Sequence, residues 1–360
     1  MSIKQCRWVL SVLFSFAFFI EQGHAQPGVS RVLVSDSLLR KHVFTLSSDS
    51  LQGRATGTIG QLQAAFYCIR SFRQSHLLPV FRVDSIHATF RQKFAFTVTE
   101  VAPFGNMRTY GSQSSTYKKH ELALLPLTGK DSNQVLFGDN VAGLLVGTDL
   151  KQEIIVLSAH YDHLGKLGKR IFHGADDNAS GTAAILSIAS VFDSLAQQGI
   201  RPRRSMLFVL FSGEEDGLLG SDYFIRNSPI PLQQMRCNLN VDMVGRTDYP
   251  HRKKSDYCYI ITGPQPPGLL QQVEMANKQS VNVALNNEGY DVKTDPSQHF
   301  YRSDHYNFFK SGVPVLFFTS GEHPDYHQPS DTADKINYLV LQKRATLIFQ
   351  TAWRIANPPL

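Results

Sequence analysis

Two nearby stretches carry more polar chemistry than a core normally tolerates: LSAHYDHLG at 157–165 and HGADDNASGTAAI at 173–185. Further along stand the adjacent acids of SGEEDGLLGS (212–221), the aspartate of NVDMVGR (240–246) and the histidine of DYHQPSDT (325–332). Side chains this polar beside apolar runs satisfy one another, cap a helix, or hold a cation. Taken singly, each has an ordinary role open to it. Asp176, Asp177, Asn178 and Ser180 are N-cap types for the helix that follows. Glu214 and Glu215 open a helical pattern, where the macrodipole favours acids. Asp242 suits a turn, and His160 and His327 suit structural hydrogen bonds.

The segments between them say where these residues sit. From Glu153 onward, short apolar runs alternate with helical patterns, as in a largely parallel sheet covered on both faces. The runs are IIVLSA (154–159), MLFVLFS (206–212), CNLNV (237–241), YCYIIT (257–262) and VPVLFFTS (313–320). A helix is expected from about Ala179 to Gln197, stopped by Gly199, and a closing helix over Leu339 to Ala356. Earlier, Ser35 to Ser48 and Gln61 to Gln74 have helical spacing, and 81–125 alternates like antiparallel or edge strands. NVAGLLVGTDL reads as a further strand and turn.

Ligands of open α/β sheets bind beyond the carboxyl ends of the strands. His160 and Asp162, then Asp176 and Asp177, then Glu214 and Glu215, then Asp242 and finally His327 all follow such runs. Independent caps and turns would leave five or six carboxylates on one sheet edge, where like charges repel by several kcal/mol. The basic residues in these loops, Lys166, Lys169, Arg170 and Arg246, are too few and wrongly placed to neutralise them. A pair of divalent ions meets the need. Imidazole with carboxylate suits zinc, and two ions about 3.5–4 Å apart require one bridging carboxylate.

In this order and spacing, SAHYDHLG, GADDNASG, SGEEDGLLGS, NVDMVGR and DYHQPSDT resemble the secreted di-zinc aminopeptidase family, whose relatives include glutamate carboxypeptidase and glutaminyl cyclase. SDSLQGRATGTIG and SGVPVLFFTSGEHPDYHQPSDT extend the likeness from about Asp36 to the last helix. The resemblance implies an α/β, single-domain zinc-peptidase fold with a mixed, centrally parallel sheet flanked by helices on both faces. It implies that Asp177 bridges two zinc ions, with His160 and Asp242 completing the first and Glu215 and His327 the second. Asp162 would orient His160, and the Asp177–Asn178 peptide would be cis. Glu214 would act as general base toward a zinc-bridging hydroxide that cleaves the N-terminal peptide bond of a substrate with a free N-terminus. Tyr326 is a candidate donor to the oxyanion, with a packed aromatic as the alternative. In FYRSDHYNF (300–308), Arg302 or Asp304 could touch substrate, and the expectation for them is an ion pair with each other.

Two rivals stand beside this reading. A glutaminyl cyclase-like acyltransferase would hold one zinc and depart from DDNASG, whereas this chain keeps Gly181. A non-catalytic binding domain would have lost ligands or base, whereas all five ligands and Glu214 are present.

The rest of the 360-residue chain frames the site. Lys4 and Arg7, the apolar run Trp8 to Ile20 and Gly23-His24-Ala25 read as a signal peptide over 1–25, cleaved before Gln26. The run is too short to span a bilayer. The expectation is an exported protein, periplasmic or extracellular, with no membrane span in the mature chain and one zinc aminopeptidase domain over 26–360. About 80 residues separate the second helix from His160, too few and too strand-like for a protease-associated insertion. Losing the leader lowers the net charge from +6 to +5. The basic clusters RPRR (201–204) and HRKK (251–254) lack interleaved aromatics, which argues against a nucleic-acid partner. Cys68, Cys237 and Cys258 remain, so at most one internal disulfide can form.

Overall fold

The computed structural model describes residues 29–100, 120–125, 135–264, 268–287, 290 and 295–359. The leader (1–25) and the middle of the alternating stretch (101–119) lie outside the described residues.

Ten strands form one mixed sheet. In spatial order they are Ala284–Asn286, Tyr257–Ile261, Val315–Thr319, Met235–Val241, Leu150–His160, Arg204–Phe211, Val135–Leu145, Arg91–Glu100 and His120–Leu125, while Leu78–Pro79 pairs with Val135–Leu145. The centre is parallel: Leu150–His160 pairs in parallel with Arg204–Phe211 and Met235–Val241, and the latter with Val315–Thr319. Val135–Leu145, Arg91–Glu100 and His120–Leu125 continue it antiparallel, as the alternating pattern there requires. The expected strand at 257–262 runs antiparallel to Val315–Thr319 and pairs in parallel with the edge strand Ala284–Asn286, so the parallel centre is interrupted on that side.

The continuous apolar runs arise because both faces are covered. Along one strand Ile155, Leu157 and Ala159 enter one core, and Ile154 and Val156 the opposite one. Helices Asp36–Leu46, Ile59–Gln74, Gly181–Gln197, Gly268–Gln279 and Tyr338–Ala356 cover the first face. Leu219–Arg226 and His305–Lys310 cover the second through Phe224 and Phe308, which pack tilted rings 6.0 Å apart. The segment Ala175–Gln197 is long and apolar enough to cross a membrane, yet 83% of its most apolar 18-residue window is buried, and its helix Gly181–Gln197 lies in the core. Gly199, at φ +80, ends it as expected.

Two local expectations fail. Glu214 and Glu215 do not begin a helix: Gly217 (φ +101) and Leu218 (φ +63) carry the chain through a left-handed turn, and the helix starts only at Leu219. Asp176 and Ser180 do not cap the helix after them. Asn178 does, with its Oδ1 accepting from Gly181 N at 2.9 Å. No disulfide forms among the three described cysteines, which are buried and free and pack as apolar residues.

Candidate metal centre

Each expected ligand comes from a strand end or the loop beyond it. His160 closes Leu150–His160, Glu214 and Glu215 follow Arg204–Phe211, Asp242 follows Met235–Val241, and His327 lies in the loop after Val315–Thr319. His160 Nε2 stands 3.2 Å from Asp242 Oδ1, 3.4 Å from Asp177 Oδ1 and 3.9 Å from Glu214 Oε2. His327, in the left-handed region at φ +56, aims Nε2 at Asp177 Oδ2 and Glu215 Oε2, 3.1 Å from each. Asp177 therefore turns one oxygen toward each half of the cluster.

Asp177 is held there by its neighbours. Its amide and that of Asp176 donate to Asp331 Oδ2 at 3.1 and 2.9 Å. Asp176 Oδ1 accepts from Gly245 N at 2.6 Å, and Asp176 Oδ2 faces His323 Nε2 at 3.2 Å. The Asp177–Asn178 peptide is cis. Asn178 bonds Val241 O through Nδ2 at 2.9 Å, tying this loop to the strand that delivers Asp242. A side chain at Gly181 would put its Cβ 2.3 Å from Asn178 Oδ1 and 2.4 Å from Val241 O, so only glycine fits. Ser303 Oγ donates to Asp242 Oδ2 at 2.8 Å.

Asp162 lies on the far side of the His160 ring, its Oδ1 3.6 Å from Nδ1, and its Oδ2 accepts from Thr56 Oγ1 at 3.0 Å. It faces the imidazole at more than hydrogen-bond length.

The balance of charge fits cations. Among the described residues, every ion pair made by Asp177, Glu214, Glu215 and Asp242 is to an imidazole. The sequence reading passed over Arg54, which is fully enclosed and, among the described residues, bonds the carbonyls of Tyr161, Leu46, His173 and Gly174 and no carboxylate. It clamps loops, and its charge is felt by Asp162, Asp177 and Asp331 without a hydrogen bond to any of them. Donors on one tetrahedral zinc at about 2.0–2.1 Å would lie roughly 3.4 Å apart. The 3.1–3.4 Å spacings around His160 and His327 match that.

The protonation balance separates the two glutamates. Burial and the Asp177 charge push Glu215 up, but His327 and His163 outweigh them and hold it at about 2. His327 rises to about 10, since Glu215 and Asp177 outweigh burial. Glu214 goes the other way: burial, then repulsion from Glu215, Asp242 and Asp304, raise it well above the usual range against the pull of His160. A carboxyl that readily holds a proton thus stands beside one that does not.

A residue the sequence reading passed over is His163. Its Nδ1 lies 2.7 Å from Glu215 Oε1 and 3.8 Å from Asp177 Oδ2. Grouped by distance alone, His160, Glu214 and Asp242 form one set of possible ion donors and His163, Asp177 and Glu215 another. The motif HYDHLG displays this histidine, but the strand pattern marks only the residue that ends the run.

A pocket opens from Asp177, Glu214 and Asp242 onto Met243, Phe317 and Thr319, with His299, Arg302, Glu322 and Tyr326 along its wall. The ion pair expected between Arg302 and Asp304 does not form. Arg302 instead reaches Glu322 Oε1 through Nη1 at 3.0 Å and the Tyr326 hydroxyl through Nη2 at 3.0 Å. Asp304 is fully buried, and burial pushes it up to about 7 against the nearby His160. Tyr326 stacks on the His327 ring at 3.8 Å.

A mixed α/β sheet with histidine and carboxylate donors gathered at its carboxyl edge is the plan of the zinc-peptidase fold. The chain belongs to peptidase family M28, whose model matches residues 140–352. Aminopeptidase YwaD of Bacillus subtilis is 27% identical over 246 residues, covering 66% of this chain and 48% of that protein. The chain thus spans about half the length of this relative. Among solved structures, BSAP, a zinc aminopeptidase from Bacillus subtilis, superposes with a TM-score of 0.64 at 18% identity, covering 92% of this chain and 99% of that one. Fimbriiglobus ruber glutaminyl cyclase superposes with a TM-score of 0.60 at 16% identity, covering 90% and 96%. Both likenesses concern the fold.

Proposed function

We propose that this chain is an exported di-zinc metallopeptidase that hydrolyses the N-terminal peptide bond of peptides. One observation carries the reading: Asp177 offers Oδ1 to the His160 side and Oδ2 to the His327 side of a single buried cluster. His160, Asp242 and Asp177 would hold one ion, and His327, Glu215 and Asp177 the other. When bound, the two ions supply Lewis-acid polarisation of the scissile carbonyl and a water acidic enough to lose its proton near neutral pH.

The side chains do the rest. Glu214 accepts the proton of the attacking water and passes it to the leaving amine nitrogen, the task of a general base turned acid. Asp162 keeps His160 from turning its Nε2 away. Tyr326 donates to the oxygen of the tetrahedral intermediate. The substrate's free α-amino group sits against the acidic cluster, and its side chain enters the pocket bounded by Met243, Phe317 and Thr319. Membership in family M28 and the likeness to zinc aminopeptidases support this reading, as does the full set of ligand types.

The test is zinc content together with release of free amino acids from leucyl and alanyl peptides by the mature chain, with and without chelator. Two zinc ions per chain and chelator-sensitive release are expected. One zinc with cyclisation of N-terminal glutamine would replace this reading with the acyltransferase, and absence of both metal and activity with a binding domain. A mature N-terminus at Gln26 outside the cytosol tests the export.

A further inference from the structure

We propose that His163 is a positioning residue for the second ion: its Nδ1–H fixes Glu215 so that Oε2 faces the cluster and Oε1 stays out of it. The proposal rests on the two-ion reading above.

The two oxygens of Glu215 have different partners. Oε2 lies 3.1 Å from His327 Nε2, and Oε1 lies 2.7 Å from His163 Nδ1. The terminal torsion of a glutamate is broad. Left to itself the carboxylate would swing between one-oxygen and two-oxygen contact with an ion. A short hydrogen bond to an ionised carboxylate is among the stronger kinds, and here it singles out one oxygen.

Direct ligation by His163 fits the distances less well. Two donors on one tetrahedral zinc lie roughly 3.4 Å apart, a spacing that the 2.7 Å contact with Oε1 falls well short of and the 3.8 Å contact with Asp177 Oδ2 exceeds. His163 thus sits behind Glu215, against the oxygen that does not face the cluster.

The ring is also built in. Its side chain is 0% exposed. Gly174, at φ +55, lies against it, and a Cβ there would come within 2.5 Å of the ring atoms Cγ and Cδ2. The His327 ring meets it edge-on at 5.9 Å. Arg54 ties the carbonyls of Tyr161 and Gly174, one from each flanking loop, at 2.7 and 2.9 Å. The imidazole is therefore a fixed reference against which Glu215 is set.

The experiment compares the full mature chain with H163L, which keeps bulk without a donor, and H163N, whose amide N–H can stand where Nδ1–H stood. Zinc stoichiometry and stepwise affinity are read by competition with a chromophoric chelator. In H163L the second ion should bind about 10–100-fold more weakly, the usual range for losing such a support, while the first binds as in the parent. H163N should recover affinity to within a few-fold. Parent-like binding of both ions by H163L overturns the proposal, and so does H163N as weak as H163L. A parent that binds fewer than two ions overturns the two-ion reading itself. Should a thermal melt show H163L unfolded, H163M replaces it, since the flexible Met side chain can fill the space of the ring and has no proton to give.

Discussion

Arg302 donates through Nη2 to the hydroxyl oxygen of Tyr326 across 3.0 Å. A guanidinium has donors only, so the Tyr326 oxygen accepts and its own proton is released to point elsewhere. The ring lies flat on His327, beside the cluster and at the pocket wall. In the mechanism proposed above, that proton is the one given to the substrate oxygen.

Replacing Tyr326 by Phe removes the donor and keeps the stack on His327. Loss of one oxyanion donor costs about 10²–10³ in kcat, and Y326F should fall in that range with zinc content unchanged and KM little altered. Parent-like kcat in Y326F would remove Tyr326 from the mechanism.

Glu214 is separable from the ligands in the same way. Position alone groups it with His160 and Asp242 as a possible donor, whereas its raised proton affinity and 3.9 Å distance from His160 Nε2 suit a base. E214Q should lose about 10²–10⁴ in kcat and retain both zinc ions. Loss of an ion in E214Q would make it a ligand.

The proposed ligands were legible because His160, Glu214, Glu215 and Asp242 stand at or just past the ends of apolar strands, with Asp177 and His327 further along the loops beyond them. Their supports were not. Arg302 pairs with Glu322, twenty residues on, rather than with nearby Asp304, because the loop after Val315–Thr319 returns beside it. The acids at 214–215 imitate a helix start, and only the left-handed backbone at Gly217 and Leu218 shows otherwise. Asp176 and Ser180 have the composition of caps, but Gly245 N and Val244 N occupy their oxygens at 2.6 and 3.0 Å. These partners are fixed by tertiary contact, which local pattern does not record.

Asp331 is one such support, from the segment that also carries His327. Its Oδ2 receives the amides of Asp176 and Asp177. D331A leaves two buried donors without partners, at about 1–3 kcal/mol for each group. A lowered urea midpoint, together with weaker zinc retention than the parent, is expected. If D331A matches the parent in both, the loop does not depend on this carboxylate.

His305 gives a pH dependence that involves no proposed ligand. The ring is fully buried, stacked on Phe317 at 4.4 Å and edge-on to Phe300 at 5.2 Å. Burial lowers it from 6.5 to about 3. Between those values the unfolded chain binds a proton that the folded chain refuses, so stability rises with pH across the window. The contribution is fully present above pH 6.5 and is lost progressively as pH falls toward 3. His42, lowered to about 4 by burial and then by Lys41, acts in the same direction and is common to parent and variant. H305F keeps an aromatic ring in the stack and cannot be protonated. Urea unfolding at pH 6.5, 5.5 and 4.5 should show the parent losing stability more steeply than H305F, by the uptake of about one proton. Equal slopes would mean that His305 takes up its proton in the folded chain.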